Sequence, residues 1–370
     1  MTPDPRYFDY AASCPPFPEA LARQSDVAAE LYASPSSTHA HGRRAAARLE
    51  EERRAFLALA GRPDATLVLT SGATEANNLV LRGALEAAPE GRLLLAADVH
   101  PSAWFARAKY GRRVDVLETG PDGRISPARL SAAITKKTAL VSVVRANNET
   151  GIVQDLPALA DVCREKGVPL HADEVQALGH LPPVEGATYA TFSAHKFGGP
   201  RGVGGVIARG SVLPPQVEGG GQEAGARGGT QNVAGLAGAV VALRLSLAVD
   251  APRLRRLARR LQDAAAALPG ARLNSDPERG LPGFVSVSFG DLVGEELVAE
   301  LDLRGFAVSA GSACGSGRMQ PSRVVLAMGR STAEGLGTLR ISMGRGTTEE
   351  AVDDLAAALR EAVQKLRALR

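Results

Sequence analysis

Lys196 lies in Tyr189-Ala-Thr-Phe-Ser-Ala-His-Lys-Phe-Gly-Gly-Pro200, where a β-prone apolar run ends in polar residues, a lysine and a glycine–proline turn. The other lysines, Lys109, Lys136, Lys137, Lys166 and Lys365, have polar or helical surroundings in which a solvated charge is expected. A lysine held where a strand leaves its sheet is partly desolvated, can lose its proton near neutral pH, and can then attack a carbonyl to form a Schiff base. The same residues also suit a lysine that packs its stem at a strand end and keeps its charge in water, and this stretch alone does not separate the two. Asp173, in His171-Ala-Asp173, follows a second apolar run. A carboxylate buried there needs a cation, either Lys196 or one from outside the chain. Around Thr66-Leu-Val-Leu-Thr70-Ser-Gly-Ala73-Thr74 a strand turns through a glycine into a helix. The free N–H groups of that helix, with the Thr74 hydroxyl, make an anion site unless a serine or threonine caps them.

The runs Arg92–Ala96, Val114–Leu117, Ala139–Val144, Val168–His171, Ala190–Phe192 and Val203–Ile207 alternate with helical segments. This predicts an α/β layer on a mostly parallel sheet, with working residues gathered beyond the strand ends. His100, Asn147-Asn148-Glu149, Asp173 with Gln176, and Ser193-Ala-His195-Lys196 all fall there. An anion site, a lysine and a buried carboxylate together suit pyridoxal phosphate. Lys196 would bond its aldehyde, Asp173 would pair with the ring nitrogen, and His100 would lie against the ring. A helix is expected over Gly42–Ala60, stopped by Gly61 and Pro63, and a long amphipathic one over Val240–Ala267, ended by Pro269-Gly270. Phe284–Phe289 alternates as a half-buried strand, and Thr347-Thr-Glu-Glu350 has the spacing of a capping box for the closing helix. Ala310–Pro321 is rich in glycine and serine and is expected to be mobile and exposed. A cysteine there, Cys314, adds little to a core, which points to its sulfur chemistry. Cys163, on the apolar side of a helix, is expected to be buried, and Cys14 to be structural.

The set Thr70–Glu75, Asn147–Glu149, His171–Asp173 with Gln176, Ser193–Lys196, Gly219–Gly221 through Arg227-Gly-Gly-Thr230, and Ser309–Cys314 resembles the cysteine desulfurases of the aminotransferase class V group. The likeness runs from Tyr7 to the closing helix. It implies the aspartate-aminotransferase-like fold (pyridoxal-phosphate fold type I), pyridoxal 5'-phosphate as cofactor, and a homodimer. Residue by residue, it implies Lys196 as the imine lysine, Asp173 at the ring nitrogen and His100 on the ring. Asn148 and Gln176 meet the ring hydroxyl. Ala73, Thr74, Ser193 and His195 hold the phosphate side, with Thr230 reaching it from a second subunit. Arg340, helped by Asn148, binds the substrate carboxylate. Cys314 takes sulfur from L-cysteine as a persulfide, releasing alanine, and passes it to an acceptor protein for iron–sulfur cluster or thio-cofactor synthesis; His100 is a candidate to take the thiol proton. The loop resembles the longer-looped group rather than a selenocysteine lyase. Ser34 and Glu174-Val175 depart from the family pattern, which leaves the preferred substrate open, and the short stretch after the last helix leaves the acceptor open. Another enzyme of this fold, an aminotransferase or related lyase, and a non-catalytic partner protein stay as alternatives.

The balance of 45% hydrophobic and 22% charged residues is that of a globular chain, and 370 residues suggest more than one core. The expected division is an N-terminal segment, residues 1–15, belonging to a small domain; a large cofactor domain, 16–240; and a C-terminal α+β domain, 241–370, carrying the cysteine loop. A net charge of +3, without a basic block, gives no sign of nucleic-acid binding. No run suits a membrane span and the first residues lack a signal-peptide pattern, so a cytoplasmic protein is expected. Three cysteines without ligand spacing make a zinc site or disulfide framework an unsuited reading, and no Gly-Lys-Ser or Gly-Lys-Thr phosphate loop occurs.

Overall fold

The computed structural model describes residues 3–210, 213–311 and 320–370. Its larger sheet holds β1 (Thr66–Thr70), β2 (Arg92–Ala96), β3 (Val114–Leu117), β4 (Thr138–Val144), β5 (Leu170–Asp173), β6 (Tyr189–Ser193) and β7 (Gly204–Ala208), in the order β1-β7-β6-β5-β4-β2-β3. Strands β2 to β6 pair in parallel, and β7 runs antiparallel to both β6 and β1. These strands read as continuous apolar runs because helices bury the sheet. Strand β5 starts at Leu170, two residues later than expected. Pro169 has no N–H for a ladder, and the strand instead runs on to carry Asp173 at its end.

Helices α1 (Pro18–Glu30), α2 (Ala40–Leu59), α3 (Ala73–Ala87), α4 (Pro101–Tyr110), α5 (Pro127–Ala133), α6 (Leu156–Glu165) and α7 (Val233–Leu247) share one core with this sheet. Helix α7 is apolar on nearly every side because it is buried against α1 and α2. The single helix expected over Val240–Ala267 is in fact two. It breaks at residues 248–250, where Asp250 accepts the Arg253 N–H and starts α8 (Ala251–Ala266), with Pro252 in its first turn. Such a cap contributes about 1 kcal/mol, and proline suits the first turn because its missing N–H has no helical partner there. The packing changes core at this break: Ala242 and Leu243 belong with the larger sheet, Leu254 and Leu257 with the smaller.

The smaller sheet, β8 (Ala271–Leu273), β9 (Phe284–Phe289), β10 (Ser309–Ala310) and β11 (Thr338–Ser342), is antiparallel in the order β10-β11-β9-β8. Around it lie α8, α9 (Gly294–Asp302), the short α10 (Arg323–Ala327) and α11 (Thr332–Leu336), and α12 (Glu349–Ala368). Helix α12 is capped by Thr348, whose hydroxyl accepts the Ala351 N–H, so the Thr347–Glu350 spacing does not form the expected box. A reciprocal box forms instead at Ser331 and Glu334 of α11. The N-terminal segment joins this layer through parallel bridges of Tyr7 to Ala307 and Asp9 to Ser342, with Phe8 in its core. Among the described residues no single helix is long and apolar enough to cross a membrane.

Candidate active site

A cleft of about 690 Å³ opens where the C-terminal ends of the larger sheet's parallel strands meet β11 and the N-terminal segment. Ala73, Thr74, His100, Asn148, Asp173, Gln176, Ser193, His195, Lys196 and Arg340 all line it. Thr230 is exposed and outside it, and Cys314 lies outside the described residues.

Lys196 follows β6 in a tight 3-10 turn over Ala194–Phe197. Gly198 closes this turn with φ +79°, in a space where a Cβ would come within 2.7 Å of the Phe17 ring, so glycine is required there. The Lys196 ammonium donates to the carbonyls of Ala11 at 2.6 Å and Ala12 at 2.9 Å, and among the described residues no carboxylate lies within ion-pair distance. Burial, and then the nearby Arg340 cation, bring its pKa down to about 8, against the upward pull of Cys14, Asp9 and Asp173. The plain Asp173–Lys196 ion pair is absent. Asp173 is 5% exposed, and its oxygens meet only neutral donors, Asn77 Nδ2 at 2.9 Å and the Val175 N–H at 3.0 Å. A buried carboxylate with a face on the cleft and no cation among the described residues is fit to meet one brought by a ligand.

The start of α3 provides an anion site. Its N-cap is Gly72 and no side chain caps it, so the alternative of a self-capped helix does not hold. Glu75 takes the Ser71 N–H and pairs with Arg227, while the first N–H groups of the helix stay open towards the cleft. Gly204 lets this turn sit against β7: a Cβ there would lie 2.5 Å from Gly72 Cα. The Thr74 and Ser193 hydroxyls make no hydrogen bond among the described residues. His195 rests on Ser13 at 3.2 Å, and burial, with Lys196 and Arg201 beside it, pushes its pKa down to about 4, leaving it neutral. Arg201 also lines the cleft, a cation that the sequence reading missed although it directly follows Pro200. These donors and the helix terminus together suit a phosphate, which one exposed helix end, worth about 0.3–1 kcal/mol, would not hold alone.

At the other end, Arg340 is 8% exposed and bonds the Asn148 carbonyl at 2.9 Å and Asp9 at 2.8 Å. Its Nε is buried without a partner among the described residues, a donor suited to a carboxylate. Gln176 donates to the Ala11 carbonyl at 2.8 Å, and the Asn148 side chain is free of bonds within the described residues. His100 is the N-cap of α4, with Nδ1 turned to Ser102. Burial lowers its pKa and Lys196 and Arg323 add to this, while Asp173 opposes them.

Residues flanking the segment 312–319 are tied close by. Ser309 pairs with Arg340 across β10 and β11. Ser322 donates to Glu149, whose pKa burial raises to about 7, and Arg323 donates to the carbonyls of Ala97 and Val99, next to His100. Glu174, a departure from the family pattern, does not face the cleft: it is 1% exposed and paired with Arg62 at 2.6 Å and Arg145 at 3.6 Å. Cys14 is buried, donates to the Lys196 carbonyl at 2.7 Å and has a thiol pushed up to about 12, so it stays protonated. Cys163 is 2% exposed in the larger core.

The aminotransferase class-V family model matches residues 6–355. A cysteine desulfurase of Cereibacter sphaeroides is 38% identical over 98% of this chain and 97% of its own length. Among solved structures, a NifS-like protein superimposes with a TM-score of 0.88 at 31% identity, covering 97% of this chain and 99% of that one. Another, described as SspA in complex with cysteine, gives a TM-score of 0.81 at 28% identity over 92% of this chain and 99% of that one. With its strand order, its cleft and its sequence matched along nearly the whole length, the chain belongs to the aminotransferase class-V family.

Proposed function

We propose that this chain is a cysteine desulfurase that uses pyridoxal 5'-phosphate to remove sulfur from L-cysteine. The observation that carries this reading is the meeting, in one cleft, of an amine poised near neutrality, a buried carboxylate without a cation and an uncapped helix N-terminus. The cofactor supplies an electron sink that weakens bonds next to the substrate's amino-bearing carbon. Lys196 provides the amine that anchors it, and Asp173 keeps its ring nitrogen protonated. Ala73, Thr74, Ser193, His195 and Arg201 hold its phosphate, and Asn148 and Gln176 its ring hydroxyl. Arg340 orients the substrate carboxylate, using the unpartnered Nε. The Cys314 thiolate attacks the substrate sulfur. A sulfur–sulfur bond forms as the carbon–sulfur bond breaks, the bond pair leaves with carbon, and a proton completes the methyl group of alanine. The persulfide on Cys314 then passes its outer sulfur to the thiol of an acceptor protein.

Thr230, exposed on its own chain, belongs in this reading to the phosphate site of a second copy, which makes the enzyme a homodimer. Glu174, buried outside the cleft and paired with two arginines, gives no reason to look for a substrate other than cysteine. The test is Cys314→Ala, assayed for alanine and sulfide while the visible spectrum reports cysteine binding. The variant should bind cysteine and release neither product; full turnover without that thiol refutes the persulfide step, and a protein that takes up no cofactor refutes the enzyme.

A further inference from the structure

Beneath the cleft a continuous run of hydrogen bonds joins Asp173 to His100. Ser142 Oγ meets His171 Nδ1 at 2.8 Å, His171 Nε2 meets Thr191 Oγ1 at 3.1 Å, and Thr191 Oγ1 donates to Asn77 Oδ1 at 2.6 Å. Asn77 Nδ2 donates to Asp173 Oδ2 and to Ser102 Oγ, both at 2.9 Å, and Ser102 Oγ meets His100 Nδ1 at 2.8 Å. Asn77, Ser142, His171 and Thr191 are fully buried, so water does not compete for these bonds.

Counting protons fixes the direction of every bond. The Asn77 amide must turn its nitrogen to Asp173, because its oxygen would repel the carboxylate. Both amide hydrogens are then used, on Asp173 and Ser102. Ser102 Oγ accepts one and gives its own proton to His100 Nδ1, which also accepts the Ser102 backbone N–H at 3.1 Å. A ring nitrogen that accepts two hydrogens carries none. Neutral His100 therefore holds its proton on Nε2, which has no partner among the described residues. At the far end Thr191, having donated to Asn77, accepts from His171 Nε2, which fits a ring that burial keeps neutral, its pKa near 4.

We propose that Asn77 is a positioning residue for the desulfuration reaction: it links Asp173 to His100 and, through Ser102, holds neutral His100 as the tautomer that keeps Nε2–H as its free hydrogen-bond donor. This rests on the reaction proposed above and differs from the sequence expectation for His100: the neutral ring offers Nε2–H as a hydrogen-bond donor and has no lone pair there to take the thiol proton. The charged groups facing His100 are Asp173 from β5, Lys196 from the turn after β6 and Arg323 from α10, and none of them contacts Nδ1. Asn77 lies one helical turn beyond Thr74, so α3 serves both ends of the site.

The test is nitrogen NMR of the full-length protein labelled at its six histidines, as purified and after adding pyridoxal phosphate, across a pH series. In the native chain His100 should show an unprotonated Nδ1 and a protonated Nε2 whenever the ring is neutral. Ser102→Ala, which removes one donor to the neutral ring, should raise the His100 pKa by about half a unit to one unit, the size of one hydrogen bond. Asn77→Leu should shift it the same way, and the double variant should fall short of the sum because Asn77 acts through Ser102. In turnover Ser102→Ala should lower kcat with KM for cysteine held. A protonated Nδ1 in the native chain, additive shifts, or a change confined to KM overturns the proposal. Should Asn77→Leu fail to fold, the native tautomer and Ser102→Ala still decide. Ring signals are read without turnover and sulfide is assayed separately, so failure of this hydrogen-bond order and failure of the desulfurase reading are distinguishable.

Discussion

Titrating the Lys196 amine probes the centre of the site. Its pKa of about 8, against an ordinary 10.5, leaves roughly a tenth of the amine neutral at pH 7 instead of about 0.03%, a roughly 300-fold gain in nucleophile. Burial is the largest cause and the Arg340 cation the next, with Asp9 among the groups that oppose them. Arg340→Met should therefore move the midpoint up, and Asp9→Asn should move it down. A small amine-reactive reagent, used at limiting concentration on the cofactor-free chain and read by mass spectrometry from about pH 6 to about pH 11, gives the midpoint directly, with the other lysines as references. A midpoint near the ordinary lysine value, or both variants moving it in the same direction, refutes the reasoning. The sign for stability follows. Between about pH 8 and pH 10.5 the unfolded chain binds the extra proton, so this group makes the fold more stable as pH rises through that window.

Asp173→Asn should raise the melting temperature of the cofactor-free protein, since it removes a buried carboxylate that has no cation partner among the described residues, and should weaken pyridoxal-phosphate binding; calorimetry and absorbance titration check the two effects. Arg62→Met should destabilise the chain by about 3–5 kcal/mol in urea unfolding, because it leaves Glu174 buried with only the more distant Arg145. Burial holds His171 down to about 4, so its contribution should be present above about pH 6.5 and lost as pH falls towards 4. His171→Phe should then show a shallower acid limb in a stability-against-pH curve, and an unchanged limb would count against that burial.

Much of this arrangement was legible in the sequence because strand ends are marked by simple signals. Apolar runs stopped by glycine, proline or a polar cluster located Lys196, Asp173 and the start of α3. Continuous hydrophobicity gave the buried parallel sheet. Periodicity was weaker at the α7–α8 junction, where two unlike helices read as one: α7 is apolar all round, so its pattern merges with the stripe of α8, and Asp250 with Pro252 was the overlooked stop. The pairing of Glu174 with Arg62 and Arg145 was not legible, since the partners lie 112 and 29 residues away in sequence. Asn77 escaped for a similar reason. A polar residue inside an apolar helix face is a signal, but its partners come from β5, β6 and α4, which only the folded chain brings together.

The carbonyls that hold the Lys196 ammonium belong to Ala11 and Ala12, in the segment that leaves the smaller layer after the bridges of Tyr7 and Asp9. In the resting chain the reactive amine is thus also a clasp fastening one layer to the other. With that nitrogen committed to a cofactor it would hold at most one hydrogen and could no longer serve both carbonyls, while Ala11 would keep its bonds to Gln176 and Ser342. Cofactor loading should then loosen the N-terminal strap, and a protease that cuts before Ala11 would report whether the clasp is open or shut.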